Sequence, residues 1–195
     1  MTERLAAQLA FLAEADRLKS VLRATPVHGG RPENSGEHSW HLALYALVLS
    51  DQAPQGVSVD RVIRMLLIHD LVEIDTGDVP IHAQNGTAHG SADRAAEEAR
   101  AADRIFGLLP KDIGTDLRAL WEEFEAAETP DAIFAKSLDR VQPVMLNIAS
   151  GGGSWQAFDV TFDQLETRVG AKIARGAPRL WDHVRALARP FFDRG

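Results

Sequence analysis

The sequence predicts an all-α domain, and three observations carry that expectation. Apolar residues recur at helical spacing along nearly the whole chain, helix-starting residues precede most of these runs, and no segment alternates as a half-buried strand does. Together they imply a single bundle of about seven to eight helices, without linker or internal repeat, over residues 1–195.

Leu5, Leu9 and Leu12 begin a first amphipathic stretch that is expected to end near Arg23, before the Pro- and Gly-rich "TPVHGGRPENSG". Asn34 and Glu37 have the spacing of a capping box and start a second helix through "SWHLALYALVLS". A third starts after Ser58, and residues 77–90 read as an irregular loop, long enough to carry function. Ser91 can cap "ADRAAEEARAADRIF", and Leu117, Leu120, Trp121 and Phe124 mark the helix after it. Thr129 with Pro130 begins a long helix that "GGGSW" ends. Thr161 and Gln164 repeat the capping-box spacing, and Pro178 opens a last helix carrying Leu180, Trp181, Val184 and Leu187.

Composition narrows the function classes. A chain of 195 residues with 45% hydrophobic and 25% charged residues is that of an ordinary globular domain. The absence of cysteine excludes disulfides, thiolate zinc sites and cysteine nucleophiles, and fits a reducing, cytoplasmic setting. A net charge of −7 argues against nucleic acid or an anionic membrane as partner, so an anionic ligand needs a local positive site. No apolar run is long enough to span a bilayer, and the charged N-terminus lacks the pattern of a signal peptide.

The stretch "LLIHDLVEIDTGD", Leu66 to Asp78, departs from its surroundings. Read as a helix, it puts His69, Asp70 and Glu73 within an arc of about 100°, while Ile63, Leu67, Ile68, Leu71, Val72 and Ile74 cover the rest of the circumference. A helix apolar on every side is buried, and an unpaired carboxylate there costs several kcal/mol unless a cation or hydrogen bonds meet it. His38 lies on one stripe with Leu42, Tyr45 and Leu49, although His41, three residues on, competes with it. Asp139 shares a face with Ala135 and Leu146, one turn before Pro143, which removes the helix bond to its carbonyl. Two histidines and two carboxylates make a nitrogen and oxygen donor set suited to one divalent ion: Mn, Co, Fe, Ni, Zn or, less well, Mg. His82 and His89 read as loop residues, and Glu97 and Glu98 as a solvated face.

The combination "EHS" at Glu37–Ser39, "HDLVEIDTGD" at His69–Asp78 and "AKSLDR" at Ala135–Arg140 resembles the HD-domain phosphohydrolases, most closely their 5′-deoxynucleotidase branch. The resemblance implies a single HD domain over 1–195, with the core at about 18–150 and the helices of 160–192 completing the bundle. It implies metal ligation by His38, His69, Asp70 and Asp139, and so selects His38 over His41. It further implies a catalytic role for Glu73, a place for Asp78 at the substrate and catalytic centre, and phosphate binding by Arg23, with Lys136 near enough to add positive charge. The expected substrate is a nucleotide or similar phosphate monoester, and a homodimer is implied. The nucleotidases carry a tryptophan close behind that arginine where this chain reads "RATPV", which leaves the sugar or base contact open. A (p)ppGpp-type hydrolase has Glu-Asp after the pair, whereas Glu73 here precedes Ile74; a cyclic-nucleotide phosphodiesterase with two metals would need more histidines; a non-catalytic nucleotide sensor would have no use for Glu73.

Overall fold

The computed structural model describes residues 2–83 and 91–193, so His89 lies outside the described residues. The long helices are α1 (Glu3–Ala15), α2 (Ser35–Val48), α3 (Val59–Ile68), α5 (Ala92–Phe106), α6 (Lys111–Ala126), α7 (Pro130–Ala149) and α11 (Pro178–Ala188). Single turns form α4 (Glu73–Thr76) and α8 (Gly153–Ala157), and α9 (Phe162–Leu165) runs through a π-turn at Glu166–Gly170 into α10 (Ala171–Gly176). The expected caps form: Asn34 with Glu37 and Thr161 with Gln164 make capping boxes, and the Ser91 and Thr129 side chains accept from Arg94 N and Ala132 N. Each such cap contributes about 1 kcal/mol.

Two segments differ from the sequence reading. The first helix ends at Ala15, a 3₁₀ turn follows (Asp16–Ser20), and Arg23 sits on a strand, β1 (Leu22–Pro26). β1 pairs antiparallel with β2 (Pro32–Asn34), opposing Leu22 to Asn34 and Pro26 to Pro32, and Gly29 and Gly30 turn between them with φ of 97° and 87°. The loop expected there is therefore a small hairpin, with Thr25 and Glu33 buried. The "HDLVEIDTGD" stretch is also not one regular helix, since α3 ends at Ile68, His69–Val72 tighten into a 3₁₀ turn, and α4 resumes at Glu73. At about three residues per turn, that segment re-aims every side chain after Ile68.

Helix α7 is the central beam, and it stays continuous through Pro143. Phe134 and Leu138 pack with Leu42, Met65 and Leu66 of α2 and α3 and Phe124 of α6. Val141 and Val144 belong to a second cluster with Trp155, Leu165, Val169, Ile173, Trp181 and Val184. A third, under α1, α5 and α6, buries Leu71, Val72, Ile105, Phe106 and Trp121. These clusters hold both ends of the polar stretch 69–78 in place. Among the described residues no helix is long and apolar enough to cross a membrane.

Gly170 lets the π-turn lie directly on Trp181, for a Cβ there would run into the indole ring. Gly170→Ala is expected to destabilise the fold by about 1–3 kcal/mol through overpacking, read as a lower midpoint in chemical denaturation.

Candidate metal centre

Each polar side chain of the centre is placed by local structure. The capping box that starts α2 leaves Ser35, His38 and Ser39 buried on its inner side. The 3₁₀ turn delivers His69 and Asp70, and Trp121 of α6 fixes it by donating its indole N–H to the His69 carbonyl at 3.1 Å. Gly77, at φ 71°, turns the chain out of α4 and presents Asp78. The buried Arg94 of α5 donates to the Thr76 and Gly77 carbonyls at 2.8 and 2.5 Å, which secures that turn. Asp139 and Gln142 stand one turn apart on α7.

His38, His69 and Asp139 converge, each offering a ligand atom within 4.8 Å of the others, and all three are buried. Gln142 Nε2 donates to Glu33 Oε1 at 2.5 Å, so its Oε1 accepts from His38 Nδ1 at 2.9 Å. His38 Nε2 then faces Asp139 Oδ1 at 3.0 Å. His69 Nδ1 donates to the Leu66 carbonyl at 2.9 Å, leaving Nε2 without a hydrogen-bond partner among the described residues, 2.9 Å from Asp70 Oδ1 and 3.7 Å from Asp139 Oδ1. With their Nδ1 atoms so engaged, both rings turn Nε2 toward carboxylate oxygens, an arrangement that a positive charge between them, a proton or a metal ion, makes favourable. Burial alone would lower the His69 pKa, yet Asp70 and Asp139 push it up to about 10, in line with the same demand for positive charge. The donor set fits one divalent metal ion, with His38 and His69 oriented through their outer nitrogens. Asp70 lies against His69 rather than within the three-residue group.

Arg23 reaches across from β1. Its Nη1 is 3.0 Å from Asp70 Oδ2 and 3.4 Å from Asp78 Oδ1, and its Nε is 3.5 Å from Glu33 Oε2. Burial opposes its charge, but Asp70, Asp78 and Glu73 raise its pKa above the ordinary value. Burial likewise pushes Asp70 and Asp139 upward, and here the neighbours win: His69 and Arg23 hold Asp70 well below the usual carboxylate range, and the Arg140 charge with hydrogen bonds from His38 and His69 does so for Asp139. Glu73 goes the other way. Burial and the Asp70 charge raise its pKa well above the usual range against the pull of Arg23, and Ser35 Oγ donates to its Oε2 at 2.6 Å. Asp78 is raised too, by burial and by Asp70, with Arg23 opposing.

These groups line one cleft, open to solvent. Arg23, His69, Asp70, Glu73, Asp78, Lys136 and Asp139 all reach it, and His38 sits behind it. Lys136 lines the wall, bound to Glu125 at 2.9 Å and 3.9 Å from the centroid of the Phe124 ring. His41 is outside the metal group, with Nδ1 3.2 Å from Gln142 Nε2. His82, read as an ordinary loop residue, is buried in the cleft wall, and Glu98, read as solvated, lines the same cleft and accepts from Arg94 Nε at 2.6 Å. Sequence reasoning missed Glu33, Gln142, Ser35 and Arg94. Gln142 had one usable signal, since i and i+3 share a helix face and Asp139 already pointed inward.

The sequence profile of the HD domain matches residues 15–181. The chain is 32% identical to human 5′-deoxynucleotidase HDDC2 over 139 residues, 70% of this chain and 65% of that protein, so it spans a little under two thirds of the human relative's length. It is 26% identical to a 5′-deoxynucleotidase of Yersinia pestis over 190 residues, covering 94% of this chain and 92% of that one. The crystal structure of a predicted metal-dependent phosphohydrolase from Magnetospirillum magnetotacticum superposes with a TM-score of 0.89 at 45% identity, covering 96% of this chain and 92% of the other.

Removing Asp139 as Asp139→Ala is expected to abolish stoichiometric metal retention after dialysis, as measured by inductively coupled plasma analysis. Gln142→Leu, which frees the outer nitrogen of His38, should weaken metal affinity by about 10–100-fold with the ligands themselves intact.

Proposed function

This chain belongs to the HD domain family, and from that premise we propose that it is a metal-dependent phosphohydrolase releasing phosphate from (deoxy)ribonucleoside 5′-monophosphates. The observation that carries the proposal is one cleft holding three things: a buried nitrogen and oxygen donor group, an arginine beside it, and a carboxyl kept protonatable at Glu73. The 5′-deoxynucleotidase names of two relatives, human and bacterial, support the substrate class.

His38, His69 and Asp139 would hold the ion, with Asp70 against His69 as the fourth ligand. The chemistry a divalent ion supplies in such a site is Lewis-acid charge at a phosphoryl oxygen and easier deprotonation of water. Arg23 binds the phosphate through its guanidinium edge, exchanging part of its contact with Asp70 and Asp78 for the substrate oxygens. Glu73, whose pKa burial raises, is the carboxyl suited to carry a proton, at the oxygen that does not accept from Ser35, and to pass it to the leaving alkoxide. Asp78 orients water or a sugar hydroxyl, and Lys136 adds positive charge at the rim. A single domain across the chain is the reading that the matched residues 15–181 support. A homodimer is supported by the exposed apolar side chains of α2, Trp40, Leu47 and Val48, at 64%, 57% and 69% exposure. A cysteine-free, nucleotide-directed chain fits the cytoplasm.

The decisive measurement is phosphate release from a panel of 5′- and 3′-monophosphates, ribo and deoxy, with several divalent metals. The 5′ esters should turn over, and chelation should stop the reaction. Glu73→Gln is expected to lower kcat by about 10²–10⁴-fold with an unchanged thermal midpoint, and full activity in that variant would remove Glu73 from its role.

A further inference from the structure

The exit from α4 is held from outside its own helix. Helix α4 is a single turn, and the last carbonyls of any helix lack partners within it. The Gly77 N–H closes back on the Glu73 carbonyl at 2.8 Å, but the carbonyls of Thr76 and Gly77 itself are met from α5, 18 and 17 positions further along the chain. Arg94 reaches both with one guanidinium, Nη1 to Thr76 and Nη2 to Gly77, and its Nε donates to Glu98 Oε1 at 2.6 Å, one turn along the same helix face. All three guanidinium nitrogens are thus engaged, and the Ser91 side chain fixes the Arg94 backbone by accepting its N–H at 3.2 Å. A planar fork fits two adjacent carbonyls in this way, whereas a lysine ammonium is a single point charge.

We propose that Arg94, braced by Glu98, is the positioning residue for Asp78, setting where that carboxylate meets the substrate and the Arg23 guanidinium. The assignment rests on the phosphohydrolase reading for what Asp78 then does, and on geometry alone for the clamp. Asp78 is the residue directly after the clamped Gly77 carbonyl. Gly77 has φ 71° and ψ 164°, a conformation open to glycine, and glycine on its own leaves the next peptide free to rotate. The bond from Arg94 Nη2 to the Gly77 carbonyl removes that freedom. Rotation there would carry Asp78 away from Arg23, whose Nη1 lies 3.4 Å from Asp78 Oδ1. Asp78 and Glu98 line the cleft and Arg94 joins them from α5, so its effect on a reaction runs through Asp78. The Arg94 charge is also felt at Asp78, where it opposes the upward push of burial. Charge and fork are separable, because Arg94→Lys keeps the first and loses the second.

Under saturating Mn²⁺, Arg94→Lys should lower kcat/KM for 2′-deoxyadenosine 5′-monophosphate by about 10²-fold, the loss that a displacement of about 1 Å can cause. Metal retention and the circular dichroism spectrum should stay as in the wild type. Asp78→Asn and the double variant complete a cycle. If Arg94 acts through Asp78, the lysine substitution should cost no more than about twofold once Asp78 has been replaced. Losses that multiply, or metal lost together with activity, would overturn the assignment. Should Arg94→Lys fail to fold, Glu98→Gln carries the same measurements, for it leaves the fork in place without the carboxylate that braces it. Hydrogen exchange followed by mass spectrometry needs no substrate: peptides over residues 73–79 should exchange about tenfold faster or more in the variant, while those of α7 keep their protection. Unchanged exchange at 73–79 would also overturn the clamp. If the wild-type protein hydrolyses no monophosphate, the hydrolase reading fails, and the exchange measurement alone decides whether Arg94 fixes Asp78.

Discussion

Positive charge shared among buried carboxylates is the constraint on which this structure turns. Glu33, Asp70 and Asp139 are each at least nine-tenths buried, and Glu73 and Asp78 stand in the same cleft. Ionised carboxylates in such numbers are strongly destabilising unless cations and hydrogen-bond donors meet them. Arg23 serves Glu33, Asp70 and Asp78 at once, and Arg140 lies 3.5 Å from Asp139. What these guanidinium groups leave unbalanced is concentrated at His69 Nε2, beside two carboxylates, where one divalent ion can sit.

The surrounding architecture serves that convergence. Without the hairpin, Arg23 and Glu33 would not reach a site made by α2, α3 and α7. With it, Glu33 links the arginine to Gln142 and through it to the outer nitrogen of His38. Helix α7 contributes Asp139 and Gln142 from one side while Phe134 and Leu138 anchor it in the main core. Ligands on a helix held so firmly lose little freedom when an ion binds, which is the physical content of preorganisation.

Much of this was legible in the sequence, and the parts that were not share a cause. Caps at Asn34, Ser91, Thr129 and Thr161 are local signals, because a side chain meets a backbone N–H two or three residues away. His69, Asp70 and Asp139 stood out because their polarity conflicts with apolar surroundings. The hairpin did not: its strands "LRATP" and "PEN" are short, proline-bearing and stabilised by docking rather than by propensity. The 3₁₀ turn at His69–Val72 was hidden as well, since it is imposed by tertiary contacts such as the bond from Trp121 to the His69 carbonyl. Glu33 acquires meaning only from Gln142, 109 positions away. No spacing rule encodes such pairs.

The same cluster also separates the carboxylates by task. Asp70 and Glu73 are three residues apart, yet their pKa values move in opposite directions. The difference lies in what each one touches. Asp70 receives the His69 ring and the Arg23 guanidinium, so its charge is stabilised where it stands. Glu73 receives a neutral hydroxyl from Ser35 and feels Asp70 as a like charge, so burial prevails and its pKa rises. A pair of nearby acids whose environments pull their pKa values apart is the physical requirement for one to bind a cation while the other carries a proton. A cation beside Asp70 would narrow the contrast from the Glu73 side, for it offsets part of the charge that raises the Glu73 pKa. The proton on Glu73 then becomes easier to give up when substrate and metal are both in place, which is when the proposed reaction needs it.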